Sequence, residues 1–324
     1  MVYNDEIYGK FEITEPVIIK LIKCSAMQRL KKISQYGYVG SYLPKVDNNR
    51  FKHSMGVFCL LRKYGVPIEE QISGLLHDVS HSAFSHCIDY VLKKKDAEKQ
   101  NYQDDIFDAY IRKTEIPQIL KKFGIKLNYI LDDKNFLLKE NDLPDICADR
   151  IDYLLRDSKC FGVIDKNKIN YFLENLETKN GEWFFRNHQS VKTFAKLFYD
   201  VNNKYYAGLS TALMFKTVGN CLKYALDKGY IDKNDLYTTD EEVLKELRKN
   251  LKKDKRLDLF WRKMNKKIKY KLGSGIKISC KSRAVDPFFM KNGKLIRFSS
   301  VDKDWKGIVK KESKPKEYFI KFEE

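Results

Sequence analysis

Three of the five histidines in this chain lie within one short segment, GLLHDVSHSAFSH, which spans residues 74–86. They are His77, His81 and His86, and Asp78 directly follows the first of them. The other residues of the segment are mostly apolar or small, so these polar side chains need partners inside the fold. Imidazole and carboxylate groups that cluster in this way are typical of a metal site beside a reacting phosphate.

Further donors for such a site occur on two other predicted helices. RFKHSMGV places His53 one turn inside a helix that begins near Arg50, and ICADRIDYLLRD places Asp149 on a later helix. His77 lies 24 positions after His53, and Asp149 lies 71 positions after Asp78. A mixed set of histidine and carboxylate ligands suits one divalent transition metal (Fe, Mn, Co, Ni or Zn) and leaves coordination positions open.

The order and spacing of these residues resemble the HD-domain superfamily of metal-dependent phosphohydrolases, and most closely its branch of dNTP triphosphohydrolases. The resemblance covers about residues 15–265 and is carried by MQRLKKISQYG, NNRFKHSMGV, GLLHDVSHSAFSH and ADRIDYLLRDSKCFGV. It implies a helical bundle with four metal ligands, which are His53, His77, Asp78 and Asp149. It also implies that the ion activates water for attack on phosphorus, with an additional Mg possible alongside the nucleotide.

The resemblance implies catalytic roles for residues that follow the His-Asp pair. His81 lies one turn after His77 and shares its helix face if the helix persists that far. His81 and His86 are expected to contact the phosphate and to donate a proton to the leaving oxygen. Asp89 is similar to the carboxylate that orients His86 and raises its pKa.

A second group of residues is expected to contact the substrate. Asp149, Tyr153 and Asp157 are spaced four apart, so they line one face of a helix. That face can present a metal ligand, a hydroxyl for a phosphate and a carboxylate for a sugar hydroxyl. Arg150 is a further cation for phosphate oxygens.

Two earlier residues complete the expected substrate contacts. Arg50 resembles the arginine that precedes the first histidine by three residues and binds a phosphate. Gln35, in ISQYG, resembles the residue that recognises the 3′-hydroxyl of the sugar in the dNTPase branch. A nucleotide is therefore the expected substrate.

The chain departs from the family pattern in two segments. Relatives usually carry another histidine after the HD segment, but EKQNYQDDIF has none; Tyr102 stands near its place, and Asp104 or Asp105 could substitute. In NNKYYAGLSTALMFKTVGN, the side chains that clamp the triphosphate and base are not evident. Two alternatives therefore stay open. One is a phosphodiesterase or phosphatase acting on cyclic nucleotides or nucleic-acid ends, and the other is a nucleic-acid-binding regulatory protein with a vestigial metal site.

Periodic apolar residues predict the helices that must position these side chains. Helices are expected at 16–36, from about 50 to 65, and at 68–78, 104–123, 143–158, 166–177, 188–228 and 240–264. Residues 268–324 are richer in β-branched and aromatic residues, and Asn292-Gly293 is a strong hairpin signal. We therefore predict a mainly α fold, with an HD-domain helical core at 1–240. Residues 241–324 are predicted to form basic helices and a small α/β or β-rich appendage with a hairpin.

The composition limits the class of protein. The 324 residues carry a net charge of +18, and residues 241–324 contribute 26 Lys and Arg against 12 Asp and Glu. This basic segment is either a nucleic-acid-binding surface or a solvated lysine-rich face. Seven scattered cysteines, without CxxC pairs, and the lack of a long apolar run predict a cytoplasmic protein with no membrane span. The resemblance implies a homo-oligomer, either a dimer or a tetramer.

Overall fold

The fold is mainly α-helical, as predicted, and a computed structural model describes residues 1–43, 46–92 and 97–323. The helices are α1 (Pro16–Lys23), α2 (Ser25–Arg29), α3 (Arg50–Lys63), α4 (Ile68–Leu76), α5 (Asp89–Leu92), α6 (Tyr102–Ile111), α7 (Ile116–Lys122), α8 (Leu127–Leu131), α9 (Ala148–Cys160), α10 (Lys166–Asn175), α11 (His188–Val201), α12 (Leu209–Asp227), α13 (Asp240–Asn250), α14 (Lys255–Met264) and α15 (Lys303–Glu312). The strands are β1 (Val2–Asp5), β2 (Gly9–Glu12), β3 (Leu176–Lys179), β4 (Glu182–Phe185), β5 (Tyr270–Cys280), β6 (Phe288–Lys291), β7 (Lys294–Arg297) and β8 (Lys316–Phe322).

Several predicted helices are shorter or interrupted. The helix predicted at 104–123 is two helices, and α7 carries a proline in its first turn, where proline is tolerated. The stretch predicted at 188–228 is broken by a π-helical turn at Asn202–Tyr206. Gly208 follows this turn, and a Cβ there would lie 2.4 Å from the carbonyl oxygen of Lys204. The break therefore depends on a residue without a side chain.

The centre of the helical core is α3, which packs against α4 and α9. Its N-cap is Asn49, whose side chain accepts a hydrogen bond from the Lys52 amide, so the helix begins where predicted. Gly56 permits the close approach of α9, because a Cβ there would lie 2.1 Å from side-chain atoms of Asp152 and Arg156. Gly74 similarly permits α4 to pack on Leu61 of α3.

Strands from two distant segments of the chain form the largest sheet. Its order is β3-β4-β6-β7, and β4 pairs in parallel with β6. The predicted hairpin is confirmed, because β6 and β7 are antiparallel and join at Asn292-Gly293, where both residues have positive φ. The β1–β2 and β3–β4 hairpins were missed, since their four-residue strands are too short for a clear alternating pattern.

The C-terminal segment packs into the helical core. Val285, Phe289, Phe298 and Trp305 are buried in the same apolar cluster as the residues of α3 and α9. The pair of amphipathic helices predicted at 240–264 is present as α13 and α14. The division at residue 240 stays a prediction, and the segments on its two sides share one sheet. Among the described residues, no helix has both the length and the apolar composition needed to cross a bilayer.

Candidate metal centre and active site

Three helices converge on one point near the middle of the molecule. His53 lies in the first turn of α3, and Asp149 lies in the first turn of α9. Helix α4 ends at Leu76, so His77 is its C-cap and Asp78 lies in the turn that follows. The structure thus brings together the four predicted ligands, which we call the metal cluster: His53, His77, Asp78 and Asp149.

The donor atoms of the metal cluster are close enough to share one ion. His53 Nε2 lies 2.8 Å from Asp149 Oδ1 and 3.2 Å from His77 Nε2. One ligand atom from each of these three residues lies within 4.8 Å of the others. The carboxylate of Asp78 is 3.5 Å from His77 Nε2 and 3.7 Å from His53 Nε2. The groups therefore surround a common volume.

The hydrogen bonds of the two imidazoles leave the inward-facing nitrogens available to a cation. His77 Nδ1 donates to the carbonyl oxygen of Gly74 at 2.7 Å, because a carbonyl can only accept. His53 Nδ1 lies 2.8 Å from Asp152 Oδ2. These bonds direct both Nε2 atoms inward, where two neutral nitrogens 3.2 Å apart would repel each other unless a proton or metal ion were shared. The donor set therefore fits a divalent ion.

The charges around the metal cluster also favour a cation. Burial lowers the pKa of His53, but hydrogen bonds with Asp149 and Asp152 outweigh it and raise the pKa to about 10. Burial opposes ionisation of Asp149, yet His53 and His77 hold its pKa well below the usual range. The carboxylates thus stay ionised and stabilise positive charge among them, which a divalent ion can supply in place of a proton.

Asp152 is a functional residue that the sequence reasoning missed. Its carboxylate accepts two hydrogen bonds from Arg156, at 3.0 and 2.9 Å, and Arg156 also donates to Asp5 at 2.9 Å. This buried network holds the carboxylate against His53, and such a partner orients a metal-binding imidazole. The available signal was its position three residues after Asp149, on the same helix.

The expected proton donors lie beside the metal cluster, on an irregular loop. The helix does not persist to His81, contrary to the expectation that it shares a helix face with His77. Phe84 and Ser85 have φ values of 61° and 45°, a left-handed conformation that non-glycine residues rarely adopt. The His81 and His86 rings are 5.1 Å apart, so the loop brings both imidazoles to one place.

Neither of these imidazoles has a complete set of hydrogen bonds. His81 Nε2 is 3.2 Å from Asp78 and His86 Nδ1 is 3.4 Å from Asp89, but both atoms lack a hydrogen-bond partner of suitable geometry among the described residues. Burial lowers the pKa of His86; Asp89 raises it, as expected, but by less than burial lowers it, so the net shift is downward. Burial and the charge of Arg50 lower the pKa of His81 to about 3. Both rings therefore retain a nitrogen that is available to a ligand.

Arg50 lies at the metal cluster, where each nitrogen of its guanidinium donates a hydrogen bond. Its guanidinium donates to Asp78 at 2.6 Å, to the Ser85 hydroxyl at 3.0 Å and to the Gln35 carbonyl at 3.2 Å. The Gln35 side-chain oxygen is buried and has no hydrogen-bond partner among the described residues. Arg50 thus positions Asp78 and the His86 loop, while the Gln35 amide remains available for a ligand.

The α9 residues that were predicted to contact substrate mostly make hydrogen bonds to other parts of the protein. Arg150 donates to the carbonyl oxygens of Asn141 and Asp145, at 3.1 and 2.6 Å. The Asp157 carboxylate accepts from the hydroxyls of Tyr36 and Tyr206 and from the Asn48 amide. Burial raises the Asp157 pKa to about 6. Among the three residues predicted to bind substrate from this helix, the Tyr153 hydroxyl and the Arg150 Nε are buried and have no hydrogen-bond partner among the described residues.

The place of the family histidine is occupied by other groups. The Tyr102 hydroxyl lies 2.8 Å from that of Tyr237, and its amide donates to Asp89. Asp104 lies nearer the metal cluster: desolvation and the charges of Glu140, Asp78 and Asp149 raise its pKa to about 7. Glu140 was also missed, and one of its oxygens lies within 4.8 Å of ligand atoms of Cys147 and Asp149.

Comparisons with known proteins agree with this geometry. The HD domain matches residues 50–157, which include all four residues of the metal cluster. An uncharacterized protein of Bacillus subtilis is 38% identical over 249 residues, covering 76% of this chain and 75% of that protein. A metal-dependent phosphohydrolase of Cordyceps militaris is 39% identical over 161 residues, covering 49% of this chain and 45% of the relative.

Two further comparisons address activity and fold. The deoxynucleoside triphosphate triphosphohydrolase SAMHD1 of mouse is 31% identical over 144 residues, but these cover 38% of this chain and 22% of that protein. A phosphohydrolase of Bacteroides thetaiotaomicron has the same fold, with a TM-score of 0.71 over both full chains at 18% identity. The matched domain and the relatives lead to one conclusion: this chain belongs to the HD-domain family of metal-dependent phosphohydrolases.

Proposed function

We propose that this phosphohydrolase acts on nucleotides and that dNTPs are its substrates. The observation that carries the proposal is the convergence of the metal cluster with two unpartnered imidazoles, His81 and His86. The partial similarity to mouse deoxynucleoside triphosphate triphosphohydrolase supports the choice of dNTPs. The free Gln35 side-chain oxygen and Tyr153 hydroxyl offer polar contacts to a sugar and a phosphate.

Each residue of the site has a distinct task in this reaction. The metal cluster would hold one divalent ion, which supplies Lewis-acid polarisation and makes water a stronger nucleophile at neutral pH. Asp152 and the Gly74 carbonyl hold the Nδ1 protons of His53 and His77, so both Nε2 atoms can act as ligands. His86 Nδ1 faces Asp89, a carboxylate that favours the doubly protonated ring, and in that form Nε2 can donate a proton to the leaving oxygen. His81 contacts the phosphate.

A nucleotide panel tests the proposal. The purified full chain is loaded in turn with Mn, Fe, Co, Ni or Zn, with and without Mg, and incubated with deoxynucleoside and ribonucleoside mono-, di- and triphosphates. Release of triphosphate and nucleoside from dNTPs, absent in the double variant His77→Ala/Asp78→Ala, would support it. Turnover of generic phosphoesters with no nucleotide hydrolysed under any metal would overturn it.

The same assay separates the alternatives for the substrate and the basic C-terminal segment. Hydrolysis of cyclic nucleotides or nucleic-acid ends that falls steeply with salt would indicate a phosphodiesterase or phosphatase, because each phosphate contact releases counterions. Salt-sensitive binding by wild type and His77→Ala alike, without hydrolysis, would indicate a regulatory protein. The cytoplasmic location and the assembly into a dimer or tetramer stay predictions.

A further inference from the structure

A short segment of the C-terminal region carries two cations into the interior. Residues 281–286 connect β5 to β6 and form no helix or strand. The segment is fixed at three points: the buried Ser282 hydroxyl donates to Glu312 at 2.5 Å, the Arg283 amide donates to Asn202 at 3.1 Å, and the Asp286 amide donates to the Pro144 carbonyl at 2.8 Å. Lys281 and Arg283 are therefore presented from a fixed backbone.

Arg283 is bonded to two segments that also contact expected active-site residues. Its guanidinium donates to the side chain of Gln100 at 2.7 Å, and Gln100 stands two residues before Tyr102, whose amide holds Asp89. Its backbone is bound to Asn202, which begins the π-helical turn that ends at Tyr206. Tyr206 contacts the Tyr153 ring at 5.5 Å, so the two segments that hold Arg283 contact Asp89, the partner of His86, on one side and Tyr153 on the other.

The electrostatic influence of these cations agrees with this position. Burial lowers the pKa of His86, and the charge of Arg283 adds to that shift. Burial raises the pKa of Tyr153, whereas Arg150 and Arg283 oppose the rise. Burial and the positive charges of Arg283 and Arg150 lower the pKa of Lys281 to about 8, although the charges of Asp104 and Glu140 oppose the shift. The charge of Arg283 thus reaches both His86 and Tyr153, and Lys281 lies near Arg283.

Neither cation is neutralised by direct contact with an anion. Lys281 donates to the carbonyl oxygen of Lys99 at 2.9 Å, and Arg283 donates to the neutral amide of Gln100. Within the part of the chain that the structure describes, no carboxylate lies within 4.0 Å of either charged group. Two half-buried positive charges near each other are costly, and an anionic ligand would offset that cost.

We propose that Lys281 and Arg283 bind the phosphate chain of the substrate, at phosphates beyond the one that reacts, an inference that rests on the proposed nucleotide hydrolase function. Arg50 and Arg150 are committed to Asp78 and to backbone carbonyls, so they offer little to these outer phosphates. The C-terminal segment supplies the missing positive charge. A substrate with two or three phosphates is favoured over a monophosphate for the same reason.

Kinetics on substrates of graded phosphate number test this assignment. The full chain is loaded with Mn, and KM and kcat are measured for a dNTP, its dNDP, its dNMP and bis(4-nitrophenyl) phosphate. Arg283→Gln should raise KM for the triphosphate by about 10- to 100-fold, Lys281→Gln by about 3- to 10-fold, and both should change KM for the monophosphate and the ester much less. Arg283→Lys should recover part of the loss.

The controls separate a substrate contact from a structural one. Lys294→Gln removes an exposed cation of β7 in the same C-terminal region and should leave every KM unchanged. Equal losses on all four substrates together with a lower Tm in Arg283→Gln would overturn the assignment, because they would indicate damage to the fold. An unchanged KM for the triphosphate would also overturn it.

A binding measurement keeps this inference distinct from the proposed function. Titration calorimetry of the Mn-loaded chain with inorganic tripolyphosphate requires no nucleotide turnover. Binding by wild type that is weakened at least about 10-fold in Arg283→Gln, with Lys294→Gln unchanged, would support the phosphate role even if no nucleotide is hydrolysed. Absence of tripolyphosphate binding by wild type, or equal binding by Arg283→Gln, would refute it.

Discussion

The metal cluster and the residues expected to bind substrate share helix α9, but they differ in how their polar groups are used. In the metal cluster, outer hydrogen bonds orient the rings of His53 and His77 and leave their inner nitrogens available. Elsewhere on α9, Arg150 and Asp157 make hydrogen bonds to the protein itself. The comparison teaches that Asp149 is presented to a ligand, whereas Arg150, its neighbour in the same turn, and Asp157 mainly support the fold.

The largest expected effect comes from removing a member of the metal cluster. His77→Ala should lower turnover by roughly 1,000-fold or more and abolish stoichiometric metal, because the ion is expected to supply both polarisation and the nucleophile. Elemental analysis and turnover of a reactive phosphodiester measure these effects. His188→Ala is the matched control, since His188 is exposed and its ring lies 5.6 Å from Phe289 and Phe298. Full metal content in His77→Ala would disprove the assignment of the cluster.

The next largest effect is expected from Asp152, which orients the metal ligand His53. Asp152→Asn keeps the shape of the side chain but removes the charge that faces His53 and Arg156. We expect metal affinity to fall by about 10- to 100-fold, as for other carboxylates that orient a metal-binding histidine. Competition with a chelator of known affinity measures it. Unchanged affinity would place Asp152 with the purely structural residues of α9.

A substitution of Arg150 tests whether the α9 residues that were expected to bind substrate instead support the fold. Arg150→Gln leaves the carbonyl oxygens of Asn141 and Asp145 without their charged donor, so we expect a loss of about 1–3 kcal/mol in the free energy of unfolding. The KM for nucleotide should change by less than about 3-fold, because the guanidinium is committed to the backbone. Urea denaturation and steady-state kinetics give the two values. A large rise in KM with normal stability would restore Arg150 as a substrate residue.

The smallest expected effect is a change in pH dependence at the loop that carries His86. Asp240 accepts hydrogen bonds from the amides of Phe84 and Ser34, yet burial raises its pKa to about 7. Because the folded state then binds this proton more tightly than the unfolded state, Asp240 stabilises the fold at low pH. This contribution is lost as pH rises towards about 7. Urea denaturation from pH 4 to 8 should show stability declining less with pH in Asp240→Asn than in wild type. If stability fell equally with pH in Asp240→Asn and in wild type, the proposed contribution of Asp240 would be contradicted.

Local patterns predicted the parts of the site that depend on neighbouring residues. The start of α3, the position of His53 within it and the Asn292-Gly293 hairpin follow from capping and turn preferences, which act over a few residues. The HD-domain resemblance indicated which donors belong together, and the structure places all four in one cluster. Even so, the end of α4 before His77 was missed, because the turn at 77–80 has no glycine or proline to mark it.

The sequence by itself determined the mainly helical fold, the metal-binding residue types and the family, because helical period and motif spacing are written along the chain. Only the tertiary structure decided that Asp152 supports His53, that Arg150 turns to backbone carbonyls, and that Arg283 is bonded to Gln100. These features join residues up to 183 positions apart. No local pattern encodes such contacts, since they depend on how helices and strands pack against one another.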